Sequence, residues 1–536
     1  MTSIPWTDWG QTKPALTGRM ESLLRKELSS TTPSTAATLD DARLPESALA
    51  PAAVGDLGRI VGPGHVRTDA ETRARHAGGQ AYAEIVRRRA GDAGAAPDAV
   101  VLPGSADEVT AVLRACAEHD VAVVPWGGGT SVVGGLESIR GTHSALIALD
   151  LSRLDALLDV DDVSSTATFQ PGIRTPAAEE ALAAHGLTLG HVPQSFERAS
   201  LGGYVVTRSA GQASTGYGRI DDLVVGLRMA TPVGELVLPA MPGSAAGPDL
   251  RRLVLGSEGT LGVVTEVTVR VRRTPAVKEY EGWMAPSWEA GQEAVRRIAQ
   301  VGPHPDIARL SDADETRVSM AMSSTSGRNR ALLSAYLRAR HVSEGCLVIT
   351  GYEGDRADVA YRKSAVRKML RDAGAVRLGE RAGQAWVHGR FSGPYLRDSL
   401  LDAGVLAETL ETATTWRNLP TLYADVRSAL HDSLGRALVG CHISHLYPTG
   451  ASLYFTALAA AEGGREAEQW ARAKRAANDA IVAAGGTVTH HHAVGTAHRD
   501  HVGSELSNVG LEALRAVKER LDPLGILNPG KLLPLA

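Results

Sequence analysis

The chain has 536 residues, 43% of them hydrophobic and 22% charged, with a formal net charge of −4. These values lie in the ordinary globular range and leave length for two main domains and a large core; without a basic excess, nucleic acid is not an expected partner. The three cysteines, Cys116, Cys346 and Cys441, are far apart and lack Cys-x-x-Cys spacing, which argues against a disulfide framework or a thiolate metal site and fits a reducing compartment.

The N-terminus lacks a basic region followed by an apolar run, and no segment approaches the roughly 18 apolar residues of a membrane span. The chain ends in Pro-Leu-Ala rather than a peroxisomal tripeptide, so a cytoplasmic location is expected. Residues 29–53, rich in Ser, Thr, Pro and Ala, read as an irregular leader. The basic run Arg87, Arg88 and Arg89 reads as a solvated helix face.

From Ala99 the pattern sharpens. AVVLP predicts a short strand, Ser105-x-x-Glu108 a capping box, and Val109, Val112, Leu113 and Cys116 the buried face of the helix it opens. VAVVP predicts a second strand, so the stretch PWGGGTSVVGGL over 125–136 leaves a β-α-β unit at a strand's carboxyl end, where ligands sit in such sheets. Gly127, Gly128, Gly129, Gly134 and Gly135 can take positive φ, letting N–H groups turn inward around an anion such as a phosphate. Thr130 and Ser131 add hydroxyls. The contiguous glycines, with no helix directly after them, do not fit the Gly-x-Gly-x-x-Gly fingerprint, and the loop by itself also suits a wide turn between strands.

Residues 145–149 predict another strand, and Thr175 with Pro176 an N-cap and first helical position, the helix being closed by Gly186. A second glycine- and hydroxyl-rich stretch covers 190–218, followed by strands at 224–230 and near Leu236. A third, GSEGTLGVVTEVTVRV, ends in an alternating half-buried strand over 263–271. Three such loops suggest one extended cofactor lying across them. Beyond a boundary near Pro275 the character changes: a helix over 287–299, strands over 307–310 and 346–351, and a long helix over 355–372 read as a separate α+β layer.

The segments WTDWG, PWGGGTSV, GHVPQSFERASLGGYVVTRSAG, GRIDDLVVGLRMATP, GSEGTLGVVTE, DIARLSD, YLRDSLLDAGVLAETLETATTW, TGASLYFT, GGTVTHHHAVG and DPLGILNPGKLL follow one another in this order. Together they resemble the FAD-binding flavoproteins of the vanillyl-alcohol oxidase and p-cresol methylhydroxylase type. Over nearly the whole chain the closer resemblance is to the alkyldihydroxyacetonephosphate synthase family. The resemblance implies an α+β fold with a two-part FAD-binding domain of the vanillyl-alcohol oxidase type, an α+β cap that takes substrate, and a helical C-terminal segment. The expected units are an N-terminal helical or irregular segment over 1–95, the FAD-binding domain over 96–274, the cap over 275–485, and a segment over 486–536 returning to the flavin, to which Asn528 and Lys531 belong.

By this resemblance the FAD diphosphate lies on Pro125, Trp126, Gly127, Gly128, Gly129, Thr130, Ser131 and Val132. The rest of the cofactor is held by Gln194, Ser195, Phe196, Glu197, Arg198, Ala199 and Ser200, by Thr207, Arg208, Ser209 and Ala210, and by Glu258, Gly259, Thr260, Leu261, Gly262, Val263 and Val264. Several relatives attach FAD covalently through a histidine of the first loop; this loop has none, and non-covalent FAD is expected.

Tyr454 matches the acid/base position of the family. A phenol titrates near pH 10, so this role needs a nearby positive charge or donor. His490, His491 and His492, between a Gly-Gly and an Ala-Val-Gly turn in a helix-strand context, can supply it; a bare histidine run is otherwise a surface or metal-binding tract. Arg397 matches the arginine that holds the substrate's anionic group, Arg309 a second family arginine, either structural or substrate-facing. The family's Cys-Arg-Val is replaced here by Cys441, His442 and Ile443, followed by Ser444 and His445, which assigns His442 to substrate. His442 and His445 with the triple histidine could also assemble a metal site, but Tyr447-Pro448-Thr449-Gly450 does not match the Gly-Asp-Gly-Asn segment of metal-binding relatives, and no metal is expected.

The implied activity is an FAD-dependent transferase exchanging the acyl group of acyl-dihydroxyacetone phosphate for a long-chain alcohol, a step of ether lipid synthesis. The alternative is an FAD-dependent oxidoreductase acting on a 2-hydroxy acid or alcohol, and a flavin-binding protein without turnover is a third reading. A lipid-like or hydroxy-acid substrate, peripheral membrane contact for access to it, and a homodimer are the expected partners.

Overall fold

The computed structural model describes residues 5–322 and 327–533; the terminal Pro-Leu-Ala lies outside them. A four-stranded sheet carries the first glycine loop, in the order Val66–Arg67, Ala99–Val101, Ala145–Asp150, Val121–Trp126. Its three longer strands run parallel and are almost continuously apolar, as strands covered on both faces must be. The helix Ala106–Glu118 connects two of them, with Ser105 Oγ accepting from Glu108 N at 3.1 Å, and Cys116 lies in the core it covers. The predicted Thr175 N-cap is displaced by one residue: the helix is Thr175–Ala183 and Arg174 is its cap, so Pro176 occupies the second position.

An antiparallel five-stranded sheet follows, ordered Leu157–Asp161, Thr166–Phe169, Val263–Arg270, Val224–Thr231, Gly234–Leu238. The largest sheet is antiparallel with seven strands, Val376–Gly379, Val277–Ala285, Cys346–Gly354, Ile307–Ser311, Ala437–Tyr447, Gly450–Ala460 and Val405–Thr415. Its helices Trp288–Val301, Leu419–Leu434 and Glu466–Ala483 cover one face. Cys441, Ile443, Leu453, Phe455 and Leu410 point into them as part of one core. Strand side chains alternate between faces, so the neighbours of these residues point the other way, towards the FAD-binding part.

The basic run is not a solvated face. Arg88 is buried and donates to the carbonyls of Trp6, Ala77 and Gly79, and Arg89 pairs with Asp8 and Asp402. Both tie the N-terminal segment down, Arg88 by saturating carbonyls that no regular element satisfies and Arg89 by pairing with the Asp8 carboxylate. The helix Gly18–Glu27 packs Met20 and Leu24 against Leu438 and Leu458 of the large sheet. Among the described residues no helix is long and apolar enough to cross a membrane.

Candidate active site

One cavity of about 1270 Å³ runs between the three glycine loops and the open face of the large sheet, above the roughly 300–1,000 Å³ usual for a single small molecule. All of residues 125–132 line it, as do Gln194, Ser195, Ala199, Ser200, Thr207, Ser209, Ala210, Glu258, Gly259, Gly262, Val263 and Val264. Phe196, Glu197, Arg198, Arg208, Thr260 and Leu261 do not line it. Phe196 packs on Phe391, Glu197 accepts from Tyr395 and Arg198 lies over Trp9. Arg208, left-handed at the end of its helix, pairs with Asp221; Leu261 belongs to the core and Thr260 turns back to Ser257 O.

Of the five glycines in the first loop only Gly129 and Gly134 have positive φ. Gly127 and Gly128 serve close approach instead: a Cβ on Gly128 would overlap Arg198 O and lie 2.6 Å from Ala199 Cα, and one on Gly127 would overlap Ser200 Oγ. The first loop thus closes on the second before any ligand is considered. Gln80 N reaches Ser131 O at 2.6 Å, and the C-terminal segment pairs alongside the strand Val121–Trp126 that leads into the loop, with Asn528 N on Val123 O and Asn528 Nδ2 on Gly135 O and Glu258 O. Lys531 is buried, donates to Glu137 O at 2.8 Å, and burial lowers its pKa to about 8.

Glu258, at φ 52°, accepts the N–H groups of Val494 and Gly495 at 2.8 Å each. Burial raises its carboxyl to about 7 against the pull of those donors. The third loop is therefore bound to the histidine segment. Exposed loop backbone, hydroxyls at 130, 131, 200, 207 and 209, and a buried Gln212 Oε1 without a partner fit a large polar cofactor such as FAD.

Across the cavity the pleat of the large sheet sets the site. Tyr454 is opposite Glu411 on one side and His442 on the other, and Arg309 lies two residues from Ser311, the partner of His442. All share one face. Tyr454 Oη donates to Thr409 Oγ1 at 3.0 Å, and its ring stacks on His442 at 4.8 Å. Burial pushes its pKa up to about 12. The expected lowering by the histidines is not found, because their rings touch only the face and edge of the phenol, at 6.1 Å for His491 and 5.6 Å for His492, and because burial holds all three imidazoles below their ordinary range.

Arg309 and His442 converge on Glu315, at 2.6 and 3.0 Å, and are 3.0 Å from each other. Burial opposes charge on Glu315, but His442 and the Arg309 guanidinium outweigh it and hold the carboxyl at about 2. Arg397 Nη1 and Nη2 donate to Gln80 O and Oε1, and Glu408 lies 3.7 Å away.

The three histidines are not in a helix-strand context but in the loop between the helices Glu466–Ala483 and Val502–Leu521. Glu411 shapes it: fully buried, it accepts from Thr489 Oγ1 and from the N–H groups of His490, His491 and His492, at 2.7, 2.6, 3.2 and 2.9 Å. His491 and His492 line the cavity, whereas His490 bonds Tyr447 Oη at 2.6 Å. A register shift between Ile443 and Leu446 turns His445 onto Ser214, at 2.5 Å, the re-aiming that bulges produce. Ligand atoms of His445, His490 and His491 lie within 4.8 Å of one another; Ser214, Tyr447 and the neighbouring ring occupy nitrogens of this group.

Sequence reasoning missed Glu411, Glu315, Glu408, Gln80 and Ser214. Acidic residues inside the otherwise uncharged strand segment LAETLETATT were the available signal for two of them. The apolar arm of the cavity was also hidden: Met20, Val318, Met322, Leu396, Leu400, Leu438 and Leu458 line it from four separate parts of the chain.

Two family profiles match, "FAD binding domain" over residues 97–238 and "FAD linked oxidases, C-terminal domain" over 274–532. The chain is 34% identical to alkyldihydroxyacetonephosphate synthase of Trypanosoma brucei brucei over 92% of its own length and 82% of that protein's. A solved alkyldihydroxyacetonephosphate synthase superposes with a TM-score of 0.86 at 29% identity, covering 98% of both chains. Substrate-bound p-cresol methylhydroxylase, at 16% identity, shares the fold with a TM-score of 0.69 over 90% of this chain and 96% of that one.

Proposed function

The chain belongs to the alkyldihydroxyacetonephosphate synthase family, and on that premise we propose that it exchanges the acyl group of acyl-dihydroxyacetone phosphate for a long-chain alcohol. It is an FAD-dependent enzyme. In the exchange the bond from the substrate's first carbon to the acyl oxygen breaks, a bond to the alcohol oxygen forms, and fatty acid leaves with no net oxidation. Bound FAD would supply an oxidised, electrophilic ring, and no net electron transfer to it would be required.

The observation that carries the reading is the position of Tyr454, a protonated phenol on the cavity face with a charged group on one side and an apolar arm nearby. We assign Tyr454 Oη to moving the proton of the first carbon: a neutral phenol, it takes that proton as it passes its own to Thr409 Oγ1, which accepts its hydrogen bond in the resting state, and it returns a proton by the reverse transfer. Arg309, fixed by Glu315, and His442 border the reacting end, and His491 and His492 shield it from water behind the loop that Glu411 holds. FAD is held non-covalently by the loops that line the cleft. The apolar arm takes the chain of the acyl group or alcohol. Contact with a membrane surface, from which such a substrate would enter, and a homodimeric assembly belong to the same proposal.

The test is anaerobic incubation of the FAD-loaded enzyme with acyl-dihydroxyacetone phosphate and a long-chain alcohol, without an electron acceptor. The expected result is fatty acid and ether product in equal amounts, over many turnovers, with the flavin spectrum oxidised at the end. Stoichiometric bleaching by a hydroxy acid or alcohol, reversed only by an acceptor and accompanied by no exchange, would establish the oxidoreductase alternative instead.

A further inference from the structure

His490 and Tyr447 lie beside the reactive end but have no part in the chemistry assigned above. They stand in line with His491, which lines the cavity. His491 Nδ1 is 2.9 Å from His490 Nδ1, and His490 Nε2 is 2.6 Å from Tyr447 Oη. Among the described residues His491 Nε2 has no hydrogen-bond partner, yet it is not sealed off from the cavity. At the other end Tyr447 is half-buried, and the next two residues of its turn, Pro448 and Thr449, are exposed. The line thus runs from the cavity to the turn joining the strands Ala437–Tyr447 and Gly450–Ala460.

Its members are held from the sides. The His445 ring stacks on that of His490 at 5.0 Å with the planes 21° apart, and Ser214 holds His445 in turn. Glu411 accepts from His490 N at 2.6 Å, and Arg219 Nη2 donates to His490 O at 2.7 Å. Burial keeps both imidazoles below their ordinary range and therefore neutral, so each carries one N–H and one bare nitrogen. Such a line has two settings. In the first, His491 Nδ1 donates to His490 Nδ1 and His490 Nε2 donates to Tyr447 Oη, which leaves His491 Nε2 as an acceptor open to the cavity. In the second, both bonds are reversed and His491 Nε2 carries a proton. Passing from the first to the second takes up one proton at His491 Nε2 and releases one at Tyr447 Oη, the behaviour of a proton shuttle.

The exchange needs such a path. The alcohol oxygen gives up its proton as it bonds to the first carbon, and the acyl group leaves as a carboxylate, so each turnover frees one proton. Tyr454 and Thr409 return the proton they take and export none. We propose that His491, His490 and Tyr447 form a relay that carries the alcohol's proton from the reaction cavity to the turn at Pro448. The relay rests on the function given above only for the source of that proton; the hydroxyl proton of an oxidised alcohol would take the same path.

The experiment measures ether formation by the FAD-loaded enzyme and its variants Tyr447→Phe and His490→Gln, in dilute bulky buffer and again with added imidazole as a small proton carrier. Tyr447→Phe should keep its FAD and its KM for the alcohol while kcat falls about 10- to 100-fold, at or below the lower end of the range for acid–base assistance. Imidazole should restore most of that loss in a saturating manner and leave the wild type unaffected; His490→Gln should behave alike. A kcat within about twofold of wild type overturns the relay. So does a loss that imidazole does not relieve, which would make Tyr447 a packing residue. If Tyr447→Phe does not retain FAD, the same comparison on His490→Gln decides. If the wild type forms no ether but is bleached by a hydroxy acid or alcohol, the reaction assigned above falls, and the bleaching rates of the same variants, with and without imidazole, decide the relay.

Discussion

At the scale of single residues the cavity is built from side chains whose protonation burial decides. Tyr454 keeps its proton because a phenolate would be desolvated there. Tyr454→Phe should therefore retain FAD and fold while exchange falls by roughly 10²–10⁴-fold, the usual range for lost acid–base assistance; activity within a few-fold of wild type would make the tyrosine a packing residue only. The buried histidines behave in the opposite sense as bases. Burial lowers His191, His492 and His498 to about 3 from 6.5. Folded values below unfolded ones mean that unfolding takes up protons, so the stability these groups contribute is complete above about pH 6.5 and is lost as pH falls towards 3. Buried Glu258, Asp312 and Asp398, raised to about 7, 6 and 6, act in the other direction, so a difference measurement is needed. Relative to His498→Asn, the wild type should lose urea stability as pH drops from 7.5 to 4.5; parallel curves would mean that this imidazole is not held neutral.

At the scale of elements, loops are fixed by one another rather than by their own hydrogen bonds. Gly127 and Gly128 let the first loop touch residues 198–200, Glu258 binds the third loop to Val494 and Gly495, and Glu411 gathers the N–H groups of the histidine loop. Gly128→Ala tests the first of these contacts with a single methyl group. The added atom has only backbone to push against, so the loops should part, with FAD content lost and stability reduced by about 1–3 kcal/mol, as overpacking commonly does. A variant with full FAD and a wild-type denaturation midpoint would show that the two loops can separate without consequence.

At the scale of the whole molecule, one sheet divides the protein into a packed side and a reactive side. The helix Gly18–Glu27, from the far N-terminal end of the chain, closes the apolar arm by placing fully buried Met20 on its wall beside Leu438 and Leu458. Met20→Trp should fill part of that arm. The longest alcohols should then lose kcat/KM by about tenfold or more while short ones are unaffected, since each methylene left unburied forfeits about 0.8 kcal/mol. A length profile matching wild type would place the chain elsewhere.

Local pattern determined much of this protein. The strands at Ala99–Val101, Val121–Trp126 and Ile307–Ser311, the helices capped at Ser105 and Ser287, and the cofactor loops are properties of short stretches, in which periodicity, capping residues and glycines act within a few positions. The order of the motifs was likewise enough to indicate the family and FAD. What only the tertiary structure decided concerns groups far apart in sequence: that Arg88 is buried under the carbonyls of Trp6 and Gly79, that Glu411 holds the loop at His490–His492, that Arg397 is engaged by Gln80, and that Met20 walls the apolar arm. A charged side chain in a sequence carries no mark of its partner. Whether it is solvated, paired or left with free donors depends on which distant backbone or carboxylate the fold brings within about 3 Å, the reach of a hydrogen bond.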